Sequence, residues 1–343
     1  MAGFSRRDFL RMSAAVLGSA TVGDLLTACS RATPASPTPS ATSQLPTEIP
    51  PLATTGVPGT VTAPPVTATQ ASFPYMAVAR SGEPEEMVRR SIAALGGMQR
   101  FVAKGANVIV KPNICVAYHG YEYAATTNPW VVGTLVKMCM EAGARRVQVM
   151  DFPFGGTPQA AYAISGIKEH VEAAGGEMVE MPQFKFVATG IPNAVRLKQV
   201  NVFEDILKAD AVINVPIAKV HDLSRLTLGM KNLMGVVRDR TALHGHISQN
   251  LADLATLVRP TLTVVDAVRV LVSNGPTGGS LDDVKKLDTV IASPDIVAAD
   301  SYAATLFGLR PADLGYVVAG AAMGLGRSDL ENLKIEEIAV GTT

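Results

Sequence analysis

Cysteine is scarce in this chain. Its 343 residues include three, Cys29, Cys115 and Cys139. None belongs to a Cys-x-x-Cys or zinc-like spacing, so there is no thiolate set for an iron–sulfur cluster or a structural metal. Histidine is nearly as rare, with five residues. Charge of one sign is missing as well. Thirty Lys and Arg balance 30 Asp and Glu, and no basic block follows the first few residues, which argues against nucleic acid as a partner. The chain has no Gly-x-Ser-x-Gly, no His-Glu-x-x-His, no Walker A loop and no strand-linked Gly-x-Gly-x-x-Gly. The common hydrolase, metalloprotease and nucleotide signatures therefore do not apply. No early apolar run is long enough to cross a bilayer either. The stretch Ser13 to Leu26 is short and interrupted by Gly18, Gly23 and Asp24.

That stretch instead reads as an export signal. Ser5-Arg6-Arg7-Asp8-Phe9-Leu10 resembles the twin-arginine signal, and Leu26-Thr27-Ala28-Cys29 resembles a lipobox, in which the Cys29 thiol is lipidated. Residues 1–29 are thus expected to be a signal peptide. Residues 30–72, almost all Pro, Thr, Ser, Ala, Val and Gly, lack the large apolar side chains of a core and are expected to be a disordered linker. A flexible coil of that length spans roughly 35 Å. The expected setting is extracytoplasmic: the outer face of the cytoplasmic membrane or the periplasm, with a lipid anchor to the membrane. Residues 73–343 are long enough for one large core or two closely packed lobes.

Short β-branched runs alternate with longer helical segments over this region, which predicts an α/β fold, a mostly parallel sheet flanked by helices in three layers. Strands are expected at 107–113, 145–151, 177–181, 211–216, 260–268 and 288–293. Helices are expected at 127–144, 157–176, 202–210, 249–258 and 295–308. Thr127 or Asn128 is placed to cap the first of these helices, with Pro129 at its first position. Residues 184–200 read as a small hairpin insertion, and there is no internal repeat. Cys139 lies among apolar residues as a small hydrophobe. A Cys115–Cys139 disulfide is chemically allowed outside the cytoplasm.

Four of the apolar strands end in a polar or charged group: Lys111 with Asn113, Asp151, Asn214 leading to Lys219, and Asp266. Ligands of open α/β sheets bind beyond the carboxyl ends of the strands, so this convergence predicts a shared site. The segment "KVHDLSRLTLGMKNLMG" (219–235) adds to it. It places Lys219, His221, Arg225 and Lys231 among leucines and methionines, where a cation costs several kcal/mol unless an anion meets it. The partner is either an internal carboxylate, with Asp210, Asp222 and Asp239 as choices, or a ligand.

The motifs "VIVKPN", "TTNP", "VQVMDFP", "ADAVINVPIAKVH", "GMKNLMG", "LTVVDAV", "NGPTGG" and "IVAAD" resemble, in this order, the core of the domain-of-unknown-function family 362. The resemblance spans roughly residues 73–340. It implies an α/β domain, often exported, and in some members an added ferredoxin-like segment with four-Cys motifs. This chain has no such motif, and iron–sulfur binding is not carried over. The family implies a fold and a site but no reaction.

Taken together, the residues predict a pocket for a small anionic molecule. Lys219, His221 and Lys231 are the acid–base candidates, since burial lowers Lys and His pKa values into a useful range. Lys111, Asn113, Asn214 and Asn232 are expected to bind the ligand, with Thr127 and Asn128 at a helix N-terminus that suits an anion. Asp151 and Asp266 are expected to orient the Lys and His groups or to bind a metal. Gly275, in the loop 274–279, is a candidate to meet an anion through backbone N–H groups. His244 and His246, two apart on what reads as an extended segment, are candidate metal ligands with His221. Asp300 is expected to pair with a site cation or cap a neighbouring loop. The leading function is an enzyme acting on the anion. The alternatives are a binding lipoprotein that presents a ligand or metal unchanged, and a redox partner.

Overall fold

The computed structural model describes residues 73–341, within one compact unit spanning residues 68–343. The signal, the Cys29 lipidation site and the linker lie outside the described residues.

The described residues open with strand β1 (Met76–Arg80) and helix α1 (Pro84–Ala94). Pro84 begins α1, and Glu85 and Glu86 in its first turn complement the helix dipole. Strand β2 (Asn107–Pro112) follows, then α2 (Pro129–Glu141), where the Asn128 side chain accepts from Trp130 N–H as the cap. After β3 (Arg146–Val149), the single helix expected at 157–176 is two, α3 (Pro158–Ile164) and α4 (Ile167–Ala173). The break falls at Gly166, whose φ of 73° lies in the left-handed region and cannot continue a right-handed helix. Beyond β4 (Glu177–Met178), the expected hairpin forms as a separate two-stranded sheet of β5 (Phe186–Gly190) and β6 (Gln199–Phe203).

The second half runs α5 (Glu204–Lys208), β7 (Ala211–Val215), β8 (Ile217–His221), β9 (Arg225–Thr227), α6 (Gly229–Asn232), α7 (Thr241–His244) and α8 (Ile247–Leu257). It closes with β10 (Leu262–Leu271), β11 (Val284–Ser293), α9 (Ile296–Thr305), α10 (Gly315–Ala322) and β12 (Ile335–Ala339).

The main sheet has the order β12-β1-β11-β10-β7-β2-β3-β4. Strands β10, β7, β2, β3 and β4 are mutually parallel, while β11 runs antiparallel between β10 and β1. The α/β fold with a mostly parallel, helix-flanked sheet is as expected. Alternation along the strands sorts the core into two faces. Ile109 of β2 and Val212 of β7 join the cluster containing α8, α9, α10 and the hairpin. Val108, Val110, Ala211 and Ile213 join the cluster containing α1, α2 and α4. A three-layer arrangement results.

One irregularity positions the site. Long strand β10 pairs first with β7 (Thr263 beside Asn214) and then with β8 (Asp266 beside Ile217). Between them stands Pro216, which has no N–H for a ladder but whose carbonyl accepts from Asp266 N–H at 2.9 Å. The chain therefore leaves β7 and continues along the same edge as β8, carrying Lys219 past the ends of the central strands.

Candidate functional site

Lys111 lies on the last turn of pleat in β2, in register with Asn214 of β7. Both are fully buried, and Lys219 of β8 is 1% exposed. Each buried group is satisfied by its neighbours. The Lys111 ammonium lies 2.8 Å from Asp151 Oδ1, and it also donates to Pro112 O at 2.8 Å and to Asn232 Oδ1 at 3.2 Å. Asp151, just past β3, accepts from the backbone N–H of Ile114 and Phe152. Asn232, on α6, donates to Lys111 O and to Asn214 Oδ1, and its carbonyl accepts from Asn113 Nδ2. Asn113 Oδ1 in turn accepts from Lys219 at 3.2 Å, while Lys219 also donates to Ala125 O at 2.6 Å and Pro276 O at 2.8 Å. An unbroken polar chain thus runs from Asp151 to Lys219 along the carboxyl edge of the sheet. An incomplete network at this depth would cost about 1–3 kcal/mol per orphaned group.

Above this chain opens a cavity of about 430 Å³, lined by Lys111, Asn113, Lys219, Lys231, Arg240 and Phe152 among others. Its charged groups are the cations Lys111, Lys219, Lys231 and Arg240 and the carboxylates Asp151 and Asp222, the last exposed. Lys219 has only neutral acceptors, with Cys115 Sγ at 3.3 Å as a further neighbour. Lys231 has no hydrogen-bond or carboxylate partner among the described residues. Arg240 donates through Nη2 to Phe152 O and through Nε to Val237 O, and its guanidinium lies 5.3 Å from the centre of the Phe152 ring. The hairpin serves the site here, because Phe186 of β5 packs on Phe152 at 5.1 Å.

Electrostatics follow from this crowding. Burial, then the charges of Lys219 and Arg240, brings the Lys231 amine down to about 8. Burial, with Lys231 and Lys219 adding to it, lowers His221 to about 3, so its ring is neutral. Leu223 N–H donates to His221 Nδ1 at 3.1 Å, which assigns the ring proton to Nε2. Burial also pulls down Lys111, against the opposing pull of Asp151, and Arg240.

Several expected site residues do other work. Asp266 does not reach the cavity; it accepts from Asn128 N–H at 2.7 Å and Val268 N–H at 3.0 Å, and so holds the start of α2 from within the protein. The anion at that helix end is thus internal. Thr127 is likewise structural, its hydroxyl accepting from Asn113 N–H and donating to Val215 O. Asn214 supports α6 by donating to Gly229 O at 3.1 Å. At Gly275 a Cβ would strike Val220 O, so this glycine serves close backbone packing, and its loop offers the cavity the Pro276 carbonyl rather than an N–H group. His244 and His246 do not share an extended segment: His244 ends helix α7 and His246 precedes α8. Of the two, His244 lines the cavity, and among the described residues no three His, Cys, Asp or Glu stand together as a metal set. The carboxylates Asp210 and Asp239 bond Asn107 and Thr241 instead of a site lysine. Asp300 caps, as one expectation had it, accepting from Gly229 N–H and Met230 N–H. Cys115 and Cys139 are both free and buried.

Sequence reasoning missed Arg240, Cys115 and Gly235. The signal for Arg240 was its place in "RDR", directly after the apolar run that carries Lys231. The sequence offers Cys115 only as a disulfide partner, although it stands two residues after Asn113 in the loop that leaves β2.

Fold and site together describe an α/β protein with a cation-rich cavity at the carboxyl edge of a mostly parallel sheet. The chain belongs to the DUF362 family, a domain of unknown function, which matches over residues 108–305. It is 26% identical over 260 residues to the thylakoid-associated protein sll1697 of Synechocystis sp., covering 71% of this chain and 76% of that protein. Among solved structures, the lactate racemase apoprotein of Thermoanaerobacterium thermosaccharolyticum is similar with a TM-score of 0.43 at 13% identity, over 66% of this chain and 55% of that one. A protein from Thermotoga maritima has a TM-score of 0.41 at 13% identity, over 66% and 60%. The chain spans less than two thirds of either structure.

Proposed function

We propose that the cavity binds a small molecule bearing a carboxylate or phosphate, and that the protein is an enzyme acting on it. One observation carries this reading. Lys219, Lys231 and Arg240 face a single cavity, while the buried carboxylate there, Asp151, is already paired with Lys111. Uncompensated buried charge costs several kcal/mol, and an anionic ligand offsets it. The roles divide by bonding. Lys219, held by three oxygen acceptors, is a fixed positive charge. Lys231, whose amine loses its proton near pH 8, is the acid–base group. Neutral His221 is a proton carrier beside them.

The setting we propose is the outer face of a membrane, reached by twin-arginine export and held by a lipid on Cys29. It rests on the motifs around Arg6, Arg7 and Cys29. The thylakoid association in the name of the Synechocystis relative is in keeping with a membrane setting.

The test is a thermal-shift and calorimetric titration of the protein with phosphate, L-lactate and pyruvate, with glycerol as a neutral control. A ligand that binds the folded state raises its stability by mass action. Anions are expected to raise Tm, and K231M and R240M are each expected to weaken binding by tenfold or more. An absence of anion shifts, or variants that bind like the parent, would overturn the reading. A binding lipoprotein would use the same cavity and return every ligand unchanged by NMR.

A further inference from the structure

We propose that Lys231 is a Schiff-base lysine whose amine condenses with the carbonyl of a small 2-oxo carboxylate held in the cavity. The inference rests on the anion-site reading above and names its substrate class.

The geometry separates the three cavity lysines. An ammonium has three N–H donors. Lys111 uses its three on Asp151, Pro112 O and Asn232. Lys219 shares its three among Ala125 O, Pro276 O, Asn113 Oδ1 and Cys115 Sγ. Deprotonating either would orphan buried acceptors. Lys231 has no such partners among the described residues, so its nitrogen can become a free amine and turn toward a ligand at no cost in hydrogen bonds. Its base is nonetheless held firmly. The next residue, Asn232, is locked into the polar network, and Asp300 caps the start of the short helix α6. A partly desolvated lysine beside other cations is the arrangement that activates an amine nucleophile, and the lowered basicity of Lys231 agrees with it.

The rest of the cavity selects the substrate. The Nη1 of Arg240 has no partner among the described residues, while Nε and Nη2 anchor the guanidinium to Val237 O and Phe152 O. This leaves a fixed donor edge for a carboxylate, backed by the charge of Lys219. Phe152, Phe154 and Met234 supply apolar wall for a short carbon chain. A 2-oxo acid brings its carboxylate and its electrophilic carbon to adjacent positions.

In the reaction, the neutral Nζ of Lys231 attacks the carbonyl carbon and the C=O π pair moves to oxygen. The nitrogen then gives up its protons, that oxygen leaves as water, and the C=N bond forms. Amine plus ketone gives imine plus one water, with no oxidant or reductant. The cationic iminium formed on reprotonation is an electron sink for the carbons next to it.

The experiment incubates the full chain near pH 8 with pyruvate and sodium cyanoborohydride, followed by intact-mass measurement and peptide mapping. L-Lactate, which lacks the ketone, and acetone, which lacks the carboxylate, serve as controls. The expected result is one adduct per chain, of pyruvate less one oxygen atom, at least tenfold more abundant on Lys231 than on any other lysine. It should be suppressed by excess phosphate, absent with lactate, weak with acetone, and absent in K231R, whose Tm should match the parent. Pyruvate that raises Tm without forming an adduct, or an adduct spread evenly over surface lysines, would overturn the Schiff base and leave the anion site standing. No adduct together with no Tm shift from pyruvate, lactate or phosphate would overturn both.

Discussion

Gly235 has no room for a methyl group. A Cβ there would fall on Asp151 Oδ1 and Lys111 Nζ, the two ends of the buried ion pair. Gly235→Ala is therefore expected to cost about 3–5 kcal/mol, the range for breaking a buried pair, read from urea unfolding as a lower midpoint at unchanged slope. Gly245→Ala is the control. Nothing lies within 4 Å of its Cβ position, and its φ of −62° suits alanine, so that variant should be neutral or more stable by about 0.4–1 kcal/mol. The same scale governs pH dependence. Lys231 holds an anion only as an ammonium, and with its pKa about 8 in the free protein affinity should fall as pH rises through that value. Binding should take up protons there, seen by calorimetry in buffers of different ionisation enthalpy. K231R, charged throughout, should remove the dependence.

Helix α6 is four residues long and owes its position to contacts from other elements rather than to helix propensity. Asp300 of α9 supports it from below, accepting from Gly229 N–H at 2.6 Å and Met230 N–H at 2.9 Å. Burial raises the Asp300 carboxyl from 3.8 to about 7. Between those values the folded state holds more protons than the unfolded one, so this group's contribution to stability is lost as pH rises through the window. D300N removes that slope. The parent's stability relative to D300N should therefore be greater at pH 5 than at pH 7, measured by chemical denaturation at each pH. This carboxylate was legible as a cap or a pairing group because an Asp among Ala and Val needs a partner. Helix α6 and strand β9 were not legible, since elements of four and three residues are too short to show a period.

Across the whole molecule, the Lys111–Asp151 pair joins the ends of β2 and β3, while Asn232 ties Lys111 and Asn214 of β7 to α6. K111M or D151N alone leaves a buried group without its partner and should cost about 3–5 kcal/mol. The double variant K111M/D151N should lose clearly less than the sum, a coupling that a double-mutant cycle in urea unfolding measures directly. An additive result would mean that the two charges do not depend on each other. The fold itself was largely readable, because buried parallel strands show as short continuous apolar runs and amphipathic helices carry a 3.6-residue period. The direction of β11 and the edge strands β1 and β12 were not, since strand pairing is a relation between distant segments.

The sequence by itself determined the α/β class, the central strands, a helix cap at Thr127 or Asn128 and the gathering of polar groups at the strand ends. Each depends on local periodicity or on one residue's chemistry. It also showed that the lysines of 219–235 needed partners. Only the tertiary structure decided which partners those were: neutral oxygens for Lys219 and, among the described residues, none for Lys231, just as it gave Asp151 to Lys111. It likewise decided that Asp266 turns inward to a helix end and that Arg240 turns toward the cavity. Residues of one type in similar apolar surroundings read alike in sequence. Their hydrogen bonds, and with them their charge and reactivity, are set by groups tens to hundreds of residues away.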